Sequence, residues 1–259
     1  MIRFLRDMSL RLKITVVFVV IVVGGTLVST AIGSRIVTDA MLGEAQARVQ
    51  AGLATAQMIY QLHLSRVRRE VIRCSRSQRL FQAVAGAPHA LPAALAKLQG
   101  ETSLDFVGFM NSHGERVTVL GKAVGAEEVL WARLLRVVRS EGRFASTEIF
   151  SHETLLQEDL ALAERARISL AEKDSLDRGL VLIYAQAIQG ERGVSGVVYG
   201  GMLLNRSTAL VDQVREAVFG GDSYGGGKVG VSSIFLGDVR VSGSTMVADH
   251  TLGTHVSSE

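Results

Sequence analysis

The stretch LVLIYAQAIQGERGVSGVVYGGMLL, Leu180 to Leu204, decides the fold of this chain. Its first part, Leu180 to Ala187, and its last part, Gly196 to Leu204, are rich in the apolar and β-branched residues that favour strands. Between them, residues 189–193 are polar and contain two glycines, which is typical of a turn. The stretch therefore predicts two long antiparallel strands joined as a hairpin.

The segments before this hairpin predict the rest of a sheet and the helices that cover it. Residues 104–110 and 116–120 form a second predicted hairpin, whose turn is the polar segment 111–115. Further strands are predicted at residues 144–150 and 166–170, and an amphipathic helix over residues 126–139. This order of elements predicts an α+β fold, with one antiparallel sheet and helices on one side of it.

Residues 35–85 predict one long helix. The segment contains no proline, and apolar residues recur at spacings of three, four and seven positions from Leu42 to Cys74. Arginines crowd its second half, at Arg66, Arg68, Arg69, Arg73, Arg76 and Arg79. We expect these to be solvated charges. The alternative is that some of them face an anionic ligand or a second copy of the same helix.

An apolar segment near the N-terminus predicts a transmembrane helix over residues 14–34. Ile14 to Ser34 carry no charge, and a helix of this length covers roughly 30 Å, the hydrocarbon thickness of a bilayer. Basic residues dominate the segment before it, so the positive-inside rule places residues 1–13 in the cytoplasm and the body in the periplasm. A cleaved signal peptide is the alternative, since Ser29-Thr30-Ala31 would suit a peptidase.

The motif inventory gives no positive reason to expect catalysis. The glycine-rich loop from Gly220 to Lys228 lacks the spacing of a P-loop, and the histidines show no strong metal-binding spacing. No nucleophile motif or HExxH motif occurs, and the single cysteine, Cys74, excludes an internal disulfide. We therefore expect no enzyme activity, no metal and no cofactor. Because the body of the protein is expected outside the membrane, we expect no nucleic-acid partner.

The run VVYGGMLLNRSTALVDQVREAVFGGDSYGGGKVGVSSIFLGDVRVS, Val197 to Ser242, resembles the join between the two halves of a double Cache sensory domain. Such domains occur in bacterial sensor histidine kinases and chemoreceptors. The matching positions are Tyr199-Gly200-Gly201, Asn205-Arg206, Tyr224, Lys228, Ile234-Phe235, Asp238 and Arg240. The chain departs from the family at Ser242-Gly243-Ser244-Thr245, where these domains usually have Thr-Asn-Val.

The resemblance implies a complete architecture. A PAS-like antiparallel sheet over residues 86–205 is expected as the first, membrane-distal Cache domain, and residues 206–259 as the start of a second. The rest of that second sheet, a return transmembrane helix, a HAMP linker and an output module do not follow, so we expect a truncated sensor. The resemblance also implies a homodimer in the inner membrane, working in a two-component or chemotaxis pathway.

The resemblance places a ligand between the concave face of the sheet and residues 144–170. The residues expected there are Phe106, Met110, Arg143, Glu148, Arg165, Arg167 and Tyr184. Because arginine binds a carboxylate through two parallel hydrogen bonds, a small organic or amino acid is the expected ligand. Arg167 is the first candidate, since it alternates with Ala166 and Ile168 on a predicted strand.

Two functions from other classes remain open at this point. A membrane-anchored enzyme would need convergent acid–base pairs on one face of the sheet. A structural or adhesion protein would have no concave pocket over the first sheet, whereas a sensor requires one.

Overall fold

The computed structural model describes residues 10–86, 89–123, 128–170, 175–190, 193–220, 223–224, 227–228, 230–244, 252 and 254. The helices are α1 (Leu10–Ser75), α2 (Gln78–Ala85), α3 (Ala90–Gly100), α4 (Glu128–Glu141), α5 (His152–Glu158), α6 (Leu160–Ala166) and α7 (Thr208–Phe219). The strands are β1 (Phe106–Asn111), β2 (Arg116–Thr118), β3 (Gly121–Ala123), β4 (Arg143–Phe150), β5 (Ile168–Ser169), β6 (Ser175–Leu176), β7 (Gly179–Gly190), β8 (Gly193–Leu203), β9 (Ser223–Tyr224), β10 (Gly227–Lys228), β11 (Ser233–Leu236) and β12 (Val239–Gly243).

The chain divides into two compact units, Met1–Ala54 and Thr55–Glu259. In the first unit the described residues are helical from Leu10 onward. Apolar side chains of the predicted span, among them Phe18, Ile21 and Leu27, are exposed. Among the residues that the structure describes, no helix is both long enough and apolar enough to cross a membrane.

The second unit is built on a six-stranded sheet with the strand order β3-β2-β1-β8-β7-β4. All neighbouring strands in it are antiparallel. The hairpin predicted from the opening stretch is confirmed as β7 and β8, with a bulge between Ile188 and Gln189. The hairpin of β1 and β2 is confirmed as well. The α+β fold class is therefore correct.

Helices cover both faces of this sheet, so the prediction of helices on one side is wrong. On one face, Val67 and Val71 of α1 and Leu95 of α3 pack against Leu182 and Val198. On the other face, residues of α4, α5 and α6 pack against a separate set of strand residues. Strand β7 already indicates this two-sided cover, because Val181 to Ala185 are all buried. A strand that is buried on both faces reads as a continuous apolar run.

Two predicted elements are shorter in the structure than expected. The long helix expected to reach residue 85 stops at Ser75, because Ser77 adopts an extended backbone and α2 starts anew after it. This break lets Leu80 and Ala83 of α2 join the core that α1 and α3 share. The strand expected over residues 166–170 is reduced to Ile168–Ser169, because α6 continues to Ala166.

The segment after the large sheet contains α7 and the paired strands β11 and β12. Ser242 donates a hydrogen bond from its hydroxyl to the carbonyl of Ser207, at 2.9 Å, and this bond ties β12 to the start of α7. His250 and His255 lie outside the described residues. The assignment of residues 206–259 to a second Cache domain stays a prediction.

Candidate functional site

A buried charged cluster lies on the face of the sheet that α4, α5 and α6 cover. It consists of Arg116 from β2, Trp131 from α4, Glu158 from α5 and Tyr199 from β8, and we call it the Arg116 cluster. The exposed fractions of these residues are 4% for Arg116, 4% for Trp131, 1% for Glu158 and 0% for Tyr199. Ionised side chains are rarely buried so completely unless they are paired, so the cluster is the most unusual feature of this core.

Arg116 organises the cluster through its two terminal nitrogens. Nη1 donates to Oε1 of Glu158 at 2.7 Å, and Nη2 donates to the side-chain oxygen of Gln157 at 2.8 Å. The hydroxyl of Tyr199 donates to the same Glu158 oxygen at 3.0 Å. The guanidinium lies 4.0 Å from the centre of the Trp131 ring, a distance at which the ring attracts the cation.

Local sequence explains how these side chains meet. Tyr199 lies opposite Gly108 on β1, and a Cβ at Gly108 would stand 2.2 Å from the tyrosine ring. Only glycine therefore lets the ring cross β1 toward the cluster. Thr118 donates from its hydroxyl to the carbonyl of Gln157 at 2.7 Å, which fixes the end of α5 beside β2.

Burial controls the protonation of the two acidic groups. It raises the pKa of Glu158 from its usual 4.5 to about 7, although Arg116 and the Tyr199 hydroxyl both act to lower it. Burial and the neighbouring charge of Glu158 raise the pKa of Tyr199 well above its usual value. The phenol therefore stays protonated near neutral pH and acts as a hydrogen-bond donor.

Two buried polar atoms of the cluster lack a hydrogen-bond partner within the described part of the chain. They are Oε2 of Glu158 and the indole nitrogen of Trp131. A buried polar group left unpaired costs about 1–3 kcal/mol. The cluster thus offers a paired cation, an unused acceptor and an unused donor, which are the groups that recognise a small polar molecule.

Three of the predicted site residues lie on this same face. Phe106 and Met110 are fully buried in the core under α4, α5 and α6. The Phe106 ring stacks at a tilt against Phe150, with 5.5 Å between the ring centres. Glu148 forms an ion pair with Arg133 of α4.

Two other predicted residues lie on the opposite face. Tyr184 packs in the core that α1, α2 and α3 cover. It lines an open groove of about 460 Å³ together with Arg143, Leu64 and Arg68. The structure therefore brings Tyr184 and Arg143 together, but away from Phe106.

The last two predicted residues are exposed and already paired. Arg165 bonds to Asp105 at 2.7 Å, and Asp105 also accepts the backbone N–H of Leu203 at 2.7 Å. Arg167 follows the last residue of α6, and its Nε donates to Asp177 at 3.1 Å. The seven predicted residues are thus distributed over several places, and their role in binding a ligand stays a prediction.

Sequence analysis missed all four members of the Arg116 cluster as site residues. The alternation of Arg116 and Thr118 on a predicted strand was an available signal, because both side chains fall on one face. Tyr199 stands in the stretch that carries the family resemblance. Glu158 gave no signal, since it ends a short helix that was not predicted.

Among the described residues, no three histidine, cysteine, aspartate or glutamate side chains lie close enough together to hold a metal ion. Cys74 is a buried free thiol whose pKa burial raises to about 11. A thiol in that state is protonated at neutral pH and unreactive.

Comparison with known proteins found no matching family model and no matching curated protein. Among solved structures, the periplasmic domain of LuxQ from Vibrio cholerae matches 75% of this chain and 77% of its own, with 14% identity and a TM-score of 0.45. The sensor domain of DcuS from E. coli covers 61% of this chain and 97% of its own, with 15% identity and a TM-score of 0.36. The sensory domain of the Campylobacter jejuni chemoreceptor Tlp3, with isoleucine bound, covers 66% of this chain and 61% of its own, with 12% identity and a TM-score of 0.36.

These neighbours are a periplasmic domain, a sensor domain and the sensory domain of a chemoreceptor. Their identities to this chain are low and their TM-scores are below 0.5. The function proposed below therefore rests on the residues of this chain.

Proposed function

We propose that this chain is the extracytoplasmic ligand-sensing module of a bacterial transmembrane receptor, and that it binds a small carboxylate at the Arg116 cluster. The observation that supports the proposal is a guanidinium almost fully buried against the sheet and held by a carboxylate of the chain itself. Arginine in such a setting recognises carboxylates by paired hydrogen bonds. The unused donor of Trp131 and the Tyr199 hydroxyl add two more groups for an anionic ligand.

In this reading Glu158 occupies the place of the ligand's carboxylate in the free protein. Exchanging one carboxylate for another leaves the buried guanidinium paired, so the exchange avoids the penalty of a lone buried charge. The raised pKa of Glu158 favours the exchange, because burial disfavours the ionised carboxylate in the cluster and its displacement relieves that cost. Ligand binding then requires the Glu158 side chain, at the end of α5, to leave Arg116.

A matched set of variants tests the site. The full chain, purified in detergent, is screened by thermal shift against short organic acids and amino acids. We expect a stabilising ligand, retained by Arg167→Ala, lost by Arg116→Lys, and bound several-fold more tightly by Glu158→Gln. Lysine keeps the charge but not the planar fork of donors. The fluorescence of Trp131 reports whether each variant is folded.

Two results would contradict this assignment. A ligand that stabilises Arg116→Lys as much as the wild type, but no longer stabilises Arg167→Ala, would move the site to the residue predicted from sequence. If no compound in a broad panel stabilises a folded wild-type chain, the carboxylate proposal loses its support.

The proposed setting is a homodimer in the inner membrane, with residues 14–34 as the anchor, residues 1–13 in the cytoplasm and the body in the periplasm. The uncharged segment, its basic N-terminal flank and the exposed apolar side chains on the helix support this topology. An enzyme reporter that is active only in the periplasm, fused after Ser207, should be active. Activity of a cytoplasmic reporter at the same position would contradict the topology and leave the chemistry of the Arg116 cluster untouched.

A further inference from the structure

An open groove of about 750 Å³ lies between the end of α1 and α3, within the second unit. Its lining includes Arg69 and Arg73 of α1, Arg76 in the turn that follows α1, and Glu101, which follows α3. We call it the α1 arginine groove. It belongs to the helical face of the sheet opposite the Arg116 cluster, so it is a separate feature.

Arg69 and Arg73 lie about one turn apart on the same side of α1. Arg76 follows in the turn after the helix, where its backbone N–H donates to the carbonyl of Arg73 at 3.3 Å. Like charges three or four residues apart on a helix repel each other and destabilise it. Glu70 relieves part of this repulsion through an ion pair with Arg73 at 2.9 Å.

Two of the three guanidiniums stay open to the groove. Arg73 donates to the backbone carbonyl of Glu101 at 2.6 Å, and the Glu101 carboxylate is taken by Arg79 at 2.9 Å. The side chains of Arg69 and Arg76 are exposed and form no ion pair or hydrogen bond with another described residue. The two acids of this region, Glu70 and Glu101, pair with Arg73 and Arg79 instead.

The base of the groove is apolar. Leu98 and Cys74 are buried there, and Ile72 is partly exposed. With Arg69, Arg73 and Arg76 set against the single carboxylate of Glu101, the lining is cationic by two charges. A phosphate monoester at neutral pH carries close to two negative charges and three strong acceptor oxygens, so it matches the lining in charge and in bonding capacity.

We propose that the α1 arginine groove is a second ligand site, which binds a phosphate monoester with a small apolar organic group. Arg69 and Arg76 hold the phosphate oxygens, and the organic group lies on Leu98 and Ile72. The site does not depend on the Arg116 cluster or on a carboxylate ligand, so either proposal can fail alone.

Isothermal titration of the full chain in detergent tests the site, with phenyl phosphate and inorganic phosphate as the probes. The double variant Arg69→Ala/Arg76→Ala removes the two open guanidiniums. The matched control, Arg66→Ala/Lys97→Ala, removes the same charge from exposed positions of α1 and α3 outside the groove. Circular dichroism and the fluorescence of Trp131 confirm that each protein is folded.

We expect wild type and control to bind phenyl phosphate with the same Kd within twofold, and the double variant to bind at least tenfold more weakly. Inorganic phosphate should bind wild type at least fivefold more weakly than phenyl phosphate, because it leaves the apolar base uncovered. Equal loss of affinity in the double variant and the control would overturn the proposal, since it would show that only net charge matters. Equal affinities for the two probes would contradict the claim that the ligand carries an organic group. If neither probe binds wild type at millimolar concentration, the groove is not a phosphate-binding site.

Discussion

The buried carboxylate of Glu158 predicts a specific pH dependence of stability, which the substitution Glu158→Gln isolates. Glutamine keeps the size of the side chain and can accept the bond from Arg116, but it does not titrate. The ionised carboxylate is disfavoured in the fold by burial, and its Oε2 has no hydrogen-bond partner among the described residues. Arg116 favours the ionised form, so the two effects oppose each other.

The sign and size of the effect follow from the raised pKa. Folding lifts the pKa of Glu158 from 4.5 to about 7, so the folded protein holds this proton more tightly than the unfolded chain does. The stabilisation is complete below pH 4.5 and is lost as the pH rises through 7. Each pKa unit corresponds to about 1.4 kcal/mol, so the wild type should lose about 3 kcal/mol relative to Glu158→Gln between pH 4 and pH 8.

Guanidinium unfolding measures this difference. The chain contains one tryptophan, and its ring lies in the Arg116 cluster, so its fluorescence follows the unfolding of this region. Glu153→Gln, which alters an exposed carboxylate on the same helix, serves as the control. The reasoning would be refuted if the stability of the wild type relative to Glu158→Gln stayed constant, or increased, between pH 4 and pH 8. That result would mean that the Arg116 ion pair outweighs the cost of burial.

Two further predictions concern single residues on which the packing around the sheet depends. Gly108→Ala should destabilise the chain by at least about 1–3 kcal/mol, because the added Cβ would stand 2.2 Å from the Tyr199 ring. Gly100→Ala is the control and should not destabilise the chain, because the space around its added Cβ is open. Chemical denaturation of both variants checks this, and equal stabilities would contradict it. Asn205→Ala should cost about 2–4 kcal/mol, because the buried amide accepts the N–H of Leu180 at 2.9 Å and donates to the carbonyls of Ala166 and Arg178 at 2.7 and 2.9 Å. A loss below 1 kcal/mol in the same assay would show that these backbone groups find other partners.

The long elements were predictable from sequence, and the short ones were not. The strands β7 and β8 are continuous apolar runs around a polar turn, so local composition identifies them. In contrast, α5 and α6 have seven residues each, and their starts depend on the side chains of Ser151 and Asp159, which accept the N–H groups of Thr154 and Ala161. Such short helices are stable mainly through their packing, which sequence periodicity does not report.

The Arg116 cluster escaped prediction for a related reason. Its members come from four elements that are distant in sequence, and they meet only when β1 and β8 pair in one register, with Gly108 opposite Tyr199. A shift of one residue would turn Tyr199 to the other face of the sheet. Arg167 was the first candidate instead, because its alternation with Ala166 and Ile168 on a predicted strand would point it into the pocket. In the structure the strand begins only after Arg167.

Strand β8 connects the proposed ligand site to the long helix. Tyr199 and Gly200 are neighbours on it, so they face opposite sides of the sheet. Tyr199 bonds to Glu158 on one side. On the other side, a Cβ at Gly200 would stand 3.3 Å from Val71 of α1, so the helix packs almost directly on the strand's backbone. If a ligand at Arg116 displaced Glu158, the Tyr199 hydroxyl would lose its acceptor, and any resulting shift of β8 would meet α1 at the contact between Gly200 and Val71.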